Sequence, residues 1–169
     1  MESASNSGNF YVNVSADGTK VAVIYELPFE KEGMEKCIVT VYDDKLKQLW
    51  KKDYTFVYES ARVPKNNIFV NNSGVVFILK QINLKKEFDQ FSMFTFTSDG
   101  KIVKEKKIGL GNGFTIATYK ELFTPDGDLQ LAGFYYMNKK IGINVETPDG
   151  NFYLQVNGAT GELTSAKIN

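Results

Sequence analysis

The chain has 169 residues, of which 43% are hydrophobic and 24% are charged, the balance of a folded globular protein. Twenty Lys plus Arg offset twenty Asp plus Glu, which argues against nucleic-acid binding because that binding depends on clustered cations. No apolar run reaches the roughly 20 residues that span a bilayer. The sequence has no histidine and one cysteine, Cys37. Ser–His and Cys–His catalysis within this chain is thereby excluded, and so are an intrachain disulfide and a cysteine cluster for zinc or iron–sulfur.

Strand-forming residues dominate from Phe10 onward. Val, Ile, Phe, Tyr and Thr favour a pleated, half-buried surface, and no run shows the apolar spacing of a helix. We therefore predict an all-β protein. Its strands, in chain order, are Phe10–Ser15, Val21–Leu27, Cys37–Tyr42, Leu49–Val57, Ile68–Val70, Val75–Ile82, Ser92–Thr97, Ile102–Ile108, Phe114–Phe123, Leu129–Tyr136, Ile141–Thr147, Phe152–Val156 and Leu163–Ile168.

Turns that contain glycine or aspartate separate these strands at regular intervals. Such residues tolerate the positive φ that two-residue hairpins require. A first turn recurs about every 55 residues, at Gly18, Gly74 and Gly127, and a second turn follows each first turn, at Asp44, Gly100 and Gly161. A fixed period of this size indicates a repeat architecture. We predict a flexible polar tail over 1–9 and one β-repeat domain over 10–169, with repeats at about 10–61, 62–113 and 114–169.

Each repeat reads as strand, turn, strand, longer loop, strand, turn, strand, which is the outline of a four-stranded antiparallel propeller blade. The first repeat, with its runs Val12–Val23, Ile38–Asp43 and Leu46–Trp50, resembles blades of bacterial WD40-like and PQQ-like β-propellers. The Gly-His and Trp-Asp dipeptides of WD40 blades are missing, so no subfamily function is carried over. The resemblance implies three four-stranded sheets.

Three blades are too few to close a ring, because propellers typically have 4–8 blades. Three arrangements would cover the sheet faces left at the ends. The chain is a fragment of a larger propeller, or two chains form a homodimer that completes a six-bladed ring, or the repeats pack as another sandwich or barrel.

The longer loops between the second and third strands of each repeat are the predicted binding surface, since loops on a rigid scaffold are the usual place of binding. These loops are Pro28–Lys36, Asn83–Phe91 and Met137–Gly150. Aromatic residues near the loop edges are the candidate contacts for a partner: Phe29, Phe88 and Tyr136.

Acidic residues gather around the first of these loops, at Glu26, Glu30, Glu32 and Glu35. Paired carboxylates hydrolyse glycosides when they are held ~5–10 Å apart. Nothing in the spacing enforces such a pair here, and lysines interleave with the acids. We therefore interpret the cluster as a solvated loop. Lysine runs such as Lys51-Lys52 and Lys106-Lys107 are interpreted as protection of sheet edges.

These observations predict a non-catalytic binding or scaffold module without cofactor or metal, and not an enzyme. The expected partner is a protein or a glycan. A carbohydrate-binding or carboxylate-dependent carbohydrate-active propeller is the first alternative, and a ligand-carrying β-barrel is the second. By resemblance alone we expect a periplasmic, cell-surface or secreted protein, with the cytoplasm as the alternative. No nucleic acid and no membrane-spanning segment are expected.

Overall fold

The computed structural model describes residues 7–59, 66–82, 90–111, 113–137, 147–160 and 162–169. Within these ranges the protein is all-β, as predicted. Its strands are β1 (Asn9–Val14), β2 (Lys20–Glu26), β3 (Met34–Asp43), β4 (Gln48–Glu59), β5 (Asn66–Val70), β6 (Val76–Ile82), β7 (Gln90–Phe96), β8 (Val103–Ile108), β9 (Phe114–Phe123), β10 (Leu129–Met137), β11 (Gly150–Val156) and β12 (Leu163–Ile168). No helix in these ranges is long and apolar enough to cross a membrane.

The described strands form three four-stranded antiparallel sheets, each made of consecutive strands. The first sheet is β1–β4, the middle sheet is β5–β8 and the third sheet is β9–β12. This confirms the predicted layout of propeller-like blades. Each sheet has two edge strands, whereas a barrel needs its first and last strands to pair. The alternative of a single ligand-carrying barrel is therefore wrong for these strands.

The glycines of these turns adopt the predicted positive φ. The turns are longer than the two-residue hairpins that the sequence predicted. In the first turn the Gly18 N–H donates to the Ser15 carbonyl at 2.9 Å, and the Ser15 N–H donates to the Lys20 carbonyl at 2.9 Å. Gly18 has a φ of 73°, which glycine adopts at little cost because it lacks a Cβ atom. The same turn recurs where Gly74 donates to Asn71 and Gly127 donates to Thr124.

The predicted strand positions agree closely with these elements. One predicted strand, Ile141–Thr147, lies outside the described residues apart from Thr147, which is in no strand. The assignment of 1–9 to a tail and of 10–169 to one domain stays a prediction. By its contacts the chain divides into two compact units.

The first unit comprises Met1–Ile78 and Thr95–Lys104. Alternate residues of β2 and β3 bury one face of the first sheet, with Ile24 opposite Val39 in the register. Part of the middle sheet packs on this face, where the Tyr54 and Phe96 rings meet edge to face with centroids 5.4 Å apart. Strand β5 is tied to β1 by a hydrogen bond of 2.9 Å from the Val70 N–H to Asn13 Oδ1.

The second unit comprises Leu79–Phe94 and Glu105–Asn169. Here the third sheet buries Leu131 and Leu154, which face each other across β10 and β11. The Phe91 ring of β7 meets the Tyr119 ring of β9 edge to face, with centroids 4.6 Å apart. The core of each unit thus forms between neighbouring sheets.

Candidate acid–base site

The buried face of the first sheet carries a polar cluster at one end. In the register Tyr11 lies opposite Ile24, and Glu26 lies opposite Cys37. Side chains alternate between the two faces of a strand, so Ile24 and Glu26 share one face with Tyr11 and Cys37. Glu35 joins them, because Glu35, Cys37 and Val39 are the alternating buried positions of β3.

Two carboxylates of this cluster are buried. Glu26 is 3% exposed and Glu35 is 4% exposed, whereas Glu30 and Glu32 are exposed. The interpretation of all four as a solvated loop is therefore wrong for Glu26 and Glu35. There are two physical reasons. β3 begins at Met34 rather than at the predicted Cys37, so Glu35 lies on the sheet, and Glu26, within the predicted strand Val21–Leu27, lies on its covered face opposite Cys37.

The loop between these strands has the ordinary surface chemistry that the sequence predicted. Glu30 forms an ion pair with Lys36, with an N–O distance of 3.1 Å, and both side chains are substantially exposed. Exposed ion pairs of this kind contribute ~0–1 kcal/mol to stability. The same short segment thus contains surface carboxylates and buried carboxylates only a few residues apart.

Tyr11 connects the buried carboxylates to the edge of the sheet. Its hydroxyl donates to Glu26 Oε2 at 3.1 Å. Burial raises the pKa of Tyr11 to about 12, and the charge on Glu26, the hydrogen bond to Glu26 and the charge on Glu35 each add to the rise. At neutral pH the Tyr11 side chain is therefore a neutral donor, and its hydroxyl is directed at Glu26 Oε2.

A second set of buried polar side chains lies in the other unit. Lys80 of β6 and Ser92 of β7 are buried, and the Ser92 hydroxyl donates to Glu105 Oε1 of β8 at 2.8 Å. Lys80 and Ser92 were not predicted as buried polar residues, because both stand within runs of apolar residues that are typical of ordinary strand positions. The pairing of a serine with a carboxylate on the next strand has no signal in the sequence.

The predicted partner-binding aromatic residues have different surroundings. Phe29 is half-buried in the connection between β2 and β3, and Tyr136 is half-buried in β10. Phe88 lies outside the described residues. Their role in binding a partner stays a prediction. Glu26 and Glu35, on the two strands that flank the connection containing Phe29, are the buried acid–base groups of this region.

Donors for a transition metal are sparse in this chain. Imidazole and thiolate are the common ligands of such metals, but the sequence has no histidine and its one cysteine, Cys37, is buried in the first sheet. Among the residues that the structure describes, no three Cys, Asp or Glu side chains lie close enough to hold a metal ion.

Comparison with known proteins places the fold among propellers. No protein-family model and no curated sequence matches the chain. Cobalt-substituted apocarotenoid oxygenase from Synechocystis superimposes on 96% of this chain with a TM-score of 0.50 and 10% identity. A mutant of the same oxygenase gives a TM-score of 0.50 with 11% identity over 96% of this chain. The oxygenase is a seven-bladed propeller, and the chain spans 38% of its length.

This likeness corrects the functional prediction. At about 10% identity it shows the fold alone, but the protein that shares the fold is an enzyme. The prediction of a non-catalytic scaffold is therefore wrong, because these blades occur in a catalytic protein and a blade layout does not decide function. The finer resemblance to WD40-like blades has no support either. The described residues do not fit the oxygenase's cobalt, so no metal step is derived for this chain.

Proposed function

We propose that this chain supplies three blades of a propeller enzyme in which the Glu26 carboxylate transfers protons and the Tyr11 hydroxyl orients it. One observation carries the proposal: Glu26 and Glu35 are buried next to that hydroxyl, on a sheet face that is otherwise mainly apolar. Removing an ionised carboxylate from water is costly unless it is compensated. Buried carboxylates with a perturbed neighbour are more frequent at functional sites than in ordinary packing.

The proposed reaction class is proton abstraction from an acidic C–H bond. The proton passes to the Glu26 carboxylate, and the electron pair of the C–H bond moves onto an oxygen or nitrogen atom of the substrate. Tyr11 keeps its own proton at neutral pH because its pKa is about 12. Once Glu26 is protonated, the Tyr11 hydroxyl is available to donate to the developing anion, the role that preorganised donors have in such sites.

The test uses 5-nitrobenzisoxazole, a small probe that reports on a desolvated base. A carboxylate removes its ring C–H proton, the N–O bond breaks, and the coloured cyanonitrophenolate appears. We expect turnover by the wild-type chain, a loss of about 100-fold or more in Glu26→Gln, and a loss of about 10-fold in Tyr11→Phe, as for removal of a general base and of an orienting donor.

The matched control is Glu30→Gln, which removes an exposed carboxylate four residues away. This variant is expected to retain the wild-type rate, and circular dichroism establishes that each variant is folded. A rate for Glu26→Gln equal to that of the wild type would overturn the proposal. A wild-type rate no greater than that of acetate at the same carboxylate concentration would overturn it too.

The chemistry of the similar oxygenase provides a separate comparison. The wild-type chain is incubated in air with an apocarotenoid, with and without added divalent metal, and loss of the polyene absorbance is followed. We expect no metal-dependent cleavage, because the described residues offer no fitting set of donors. Cleavage that requires metal and persists in Glu26→Gln would place the chemistry elsewhere and contradict the proposal.

A further inference from the structure

The turn between β11 and β12 contains an Asn–Gly step, Asn157–Gly158. The Asn157 N–H donates to the Glu162 carbonyl at 2.8 Å and so closes the turn. An asparagine side chain that precedes glycine is open to attack by the next backbone nitrogen, because glycine has no Cβ atom to hinder the approach. Three features of the fold favour this attack at Asn157.

The first feature is a base beside the attacking nitrogen. The Gly158 N–H donates to Asp128 Oδ1 at 2.9 Å. Asp128 comes directly before β10, and Leu129 of β10 pairs with Val156 of β11, so the register brings Asp128 to this turn. The distance is within the reach of a general base, about 2.6–3.2 Å. The proton on the nitrogen therefore has an acceptor that an isolated Asn–Gly peptide lacks.

The second feature is a set of donors on the carbonyl oxygen of the attacked amide. Asn157 Oδ1 accepts hydrogen bonds from the Ala159 N–H at 3.1 Å, the Thr160 N–H at 2.9 Å and the Thr160 hydroxyl at 3.1 Å. Negative charge develops on this oxygen when a nucleophile adds to the side-chain carbon. Donors that already point at such an oxygen lower the barrier, as in an oxyanion hole.

The third feature is the packing around Gly158. A Cβ atom at this position would collide with the carbonyl oxygen of Gly127. Gly158 is buried, whereas Asn157 is half-buried. The attacking nitrogen is thus fixed between Gly127 and the Asp128 carboxylate, while the Asn157 amide has access to solvent for the release of ammonia.

Asn71 of the middle sheet provides a comparison within the same chain. Its Oδ1 also accepts three hydrogen bonds, from the Ser73 N–H at 3.1 Å, the Ser73 hydroxyl at 2.8 Å and the Val75 N–H at 2.9 Å. The residue that follows it is Asn72, whose side chain hinders the approach of the backbone nitrogen. Asn71 therefore has the donors without the glycine.

We propose that Asn157 and Gly158 form a self-modifying site in which Asp128 is the base. The Gly158 nitrogen bonds to the side-chain carbon of Asn157, and its proton passes to the Asp128 carboxylate. Asp128 then gives this proton to Asn157 Nδ2, the bond between the carbon and Nδ2 breaks, and ammonia leaves a succinimide. Water opens the succinimide to aspartate or isoaspartate, and no other reactant is required.

The products change the turn in which they form. Both replace a neutral amide by a carboxylate close to Asp128, and like charges at short range disfavour each other. Isoaspartate also adds a methylene group to the backbone, which lengthens the connection between β11 and β12. We therefore expect the modified protein to have a lower urea midpoint than the fresh protein.

Peptide mapping by mass spectrometry measures the modification. The wild-type protein is incubated at neutral pH, and the Asn157 peptide is assayed for the mass gain of an amide that becomes a carboxylate, and for isoaspartate. The reference is a synthetic peptide of residues 154–163, which has the same sequence and lacks Asp128. The folded protein should react about 10-fold faster than this peptide or more. Asn71 should keep its amide.

Two variants test the assigned roles. Asp128→Asn keeps an oxygen acceptor for the Gly158 N–H but removes the base, and it should slow the reaction about 10-fold or more. Thr160→Val removes one of three donors and should slow it by a smaller factor. The control is Asp126→Ser, which removes an exposed carboxylate from the turn before β10 and should leave the rate unchanged. Circular dichroism establishes that each variant is folded.

Two results would overturn the proposal. A folded protein that reacts no faster than the peptide means that the hydrogen bonds of the turn protect Asn157. An Asp128→Asn variant that reacts at the wild-type rate means that this carboxylate is not the base. Neither result involves Glu26, so failure here is distinct from failure of the 5-nitrobenzisoxazole test.

Discussion

The first and third sheets share one layout but bury different chemistry. The buried face of the third sheet holds Leu129, Leu131, Phe152, Leu154 and Val156. That of the first sheet begins in the same way, with Ala22, Ile24, Val39 and Val41, and then ends in the buried carboxylates of Glu26 and Glu35. Apolar burial accounts for these fully buried positions of the third face and for only part of those of the first.

This difference separates a sheet face that serves packing alone from one that also buries carboxylates. The buried positions of the third sheet are leucine, valine and phenylalanine. In the first sheet Glu26 and Glu35 replace part of this apolar burial, and their lost hydration has to be compensated by hydrogen bonds such as the one from Tyr11 to Glu26.

The largest expected effect on the free energy of unfolding is in the third sheet. Leu154→Ala removes a side chain that is 1% exposed at the centre of the third sheet, and it should lower the free energy of unfolding by about 2–5 kcal/mol. Urea denaturation followed by circular dichroism measures the loss. Leu163→Ala, at a leucine that is 50% exposed on β12, is the control and should cost about 0.5 kcal/mol or less. Equal losses in the two variants would contradict the burial described here.

A smaller effect is expected in the acidic end of the first sheet. Glu26→Gln keeps the shape of the side chain and removes its charge, so the Tyr11 hydroxyl donates to a neutral acceptor. We expect a loss of about 1.5–3 kcal/mol, the range for hydrogen bonds to charged groups. Glu30→Gln, which loses only a surface ion pair, should cost about 1 kcal/mol or less. If the Glu26 and Glu30 variants unfold at the same urea concentration, the burial of Glu26 has no energetic consequence.

The pH dependence of stability tests the acidic end of the first sheet in a second way. The pKa of Tyr11 is raised from 10.0 to about 12, so the folded state holds this proton more tightly than the unfolded state does. The stabilisation is fully present below pH 10 and is lost as the pH rises toward 12. Tyr11→Phe should therefore show a shallower loss of stability across this range, as measured by urea midpoints at each pH. Identical alkaline profiles for Tyr11→Phe and the wild type would contradict the raised pKa of Tyr11.

The smallest effect is expected at an exposed turn. The side-chain hydrogen bond from Thr97 and the backbone N–H of Lys101 lower the pKa of Asp99 from 3.8 to about 2. The turn is therefore stabilised above pH 3.8, and this contribution is lost as the pH falls through 2. The difference in urea midpoint between the wild type and Asp99→Asn should shrink between pH 5 and pH 2. A difference that is constant over this range would exclude the proposed hydrogen bonding.

The local sequence was sufficient to predict the strands and the turns. Alternation in Val21–Leu27 predicts a strand with one buried face, and only glycine adopts the positive φ at Gly18 and Gly74 without steric cost. The repeat of these turns predicted three four-stranded sheets, because strands that are neighbours along the chain usually pair with each other. These are interactions between residues that lie close in sequence.

The candidate acid–base site could be identified only from the tertiary structure. Glu26, Glu30, Glu32 and Glu35 stand within ten residues and are chemically alike, and their sequence spacing does not separate buried from exposed carboxylates. The difference arises because the register sets Glu26 opposite Cys37 on the covered face, next to the hydroxyl of Tyr11 from another strand. Sequence by itself determined which segments are strands, through local propensity and period. Only the packing of one sheet on another determined which carboxylates are excluded from solvent.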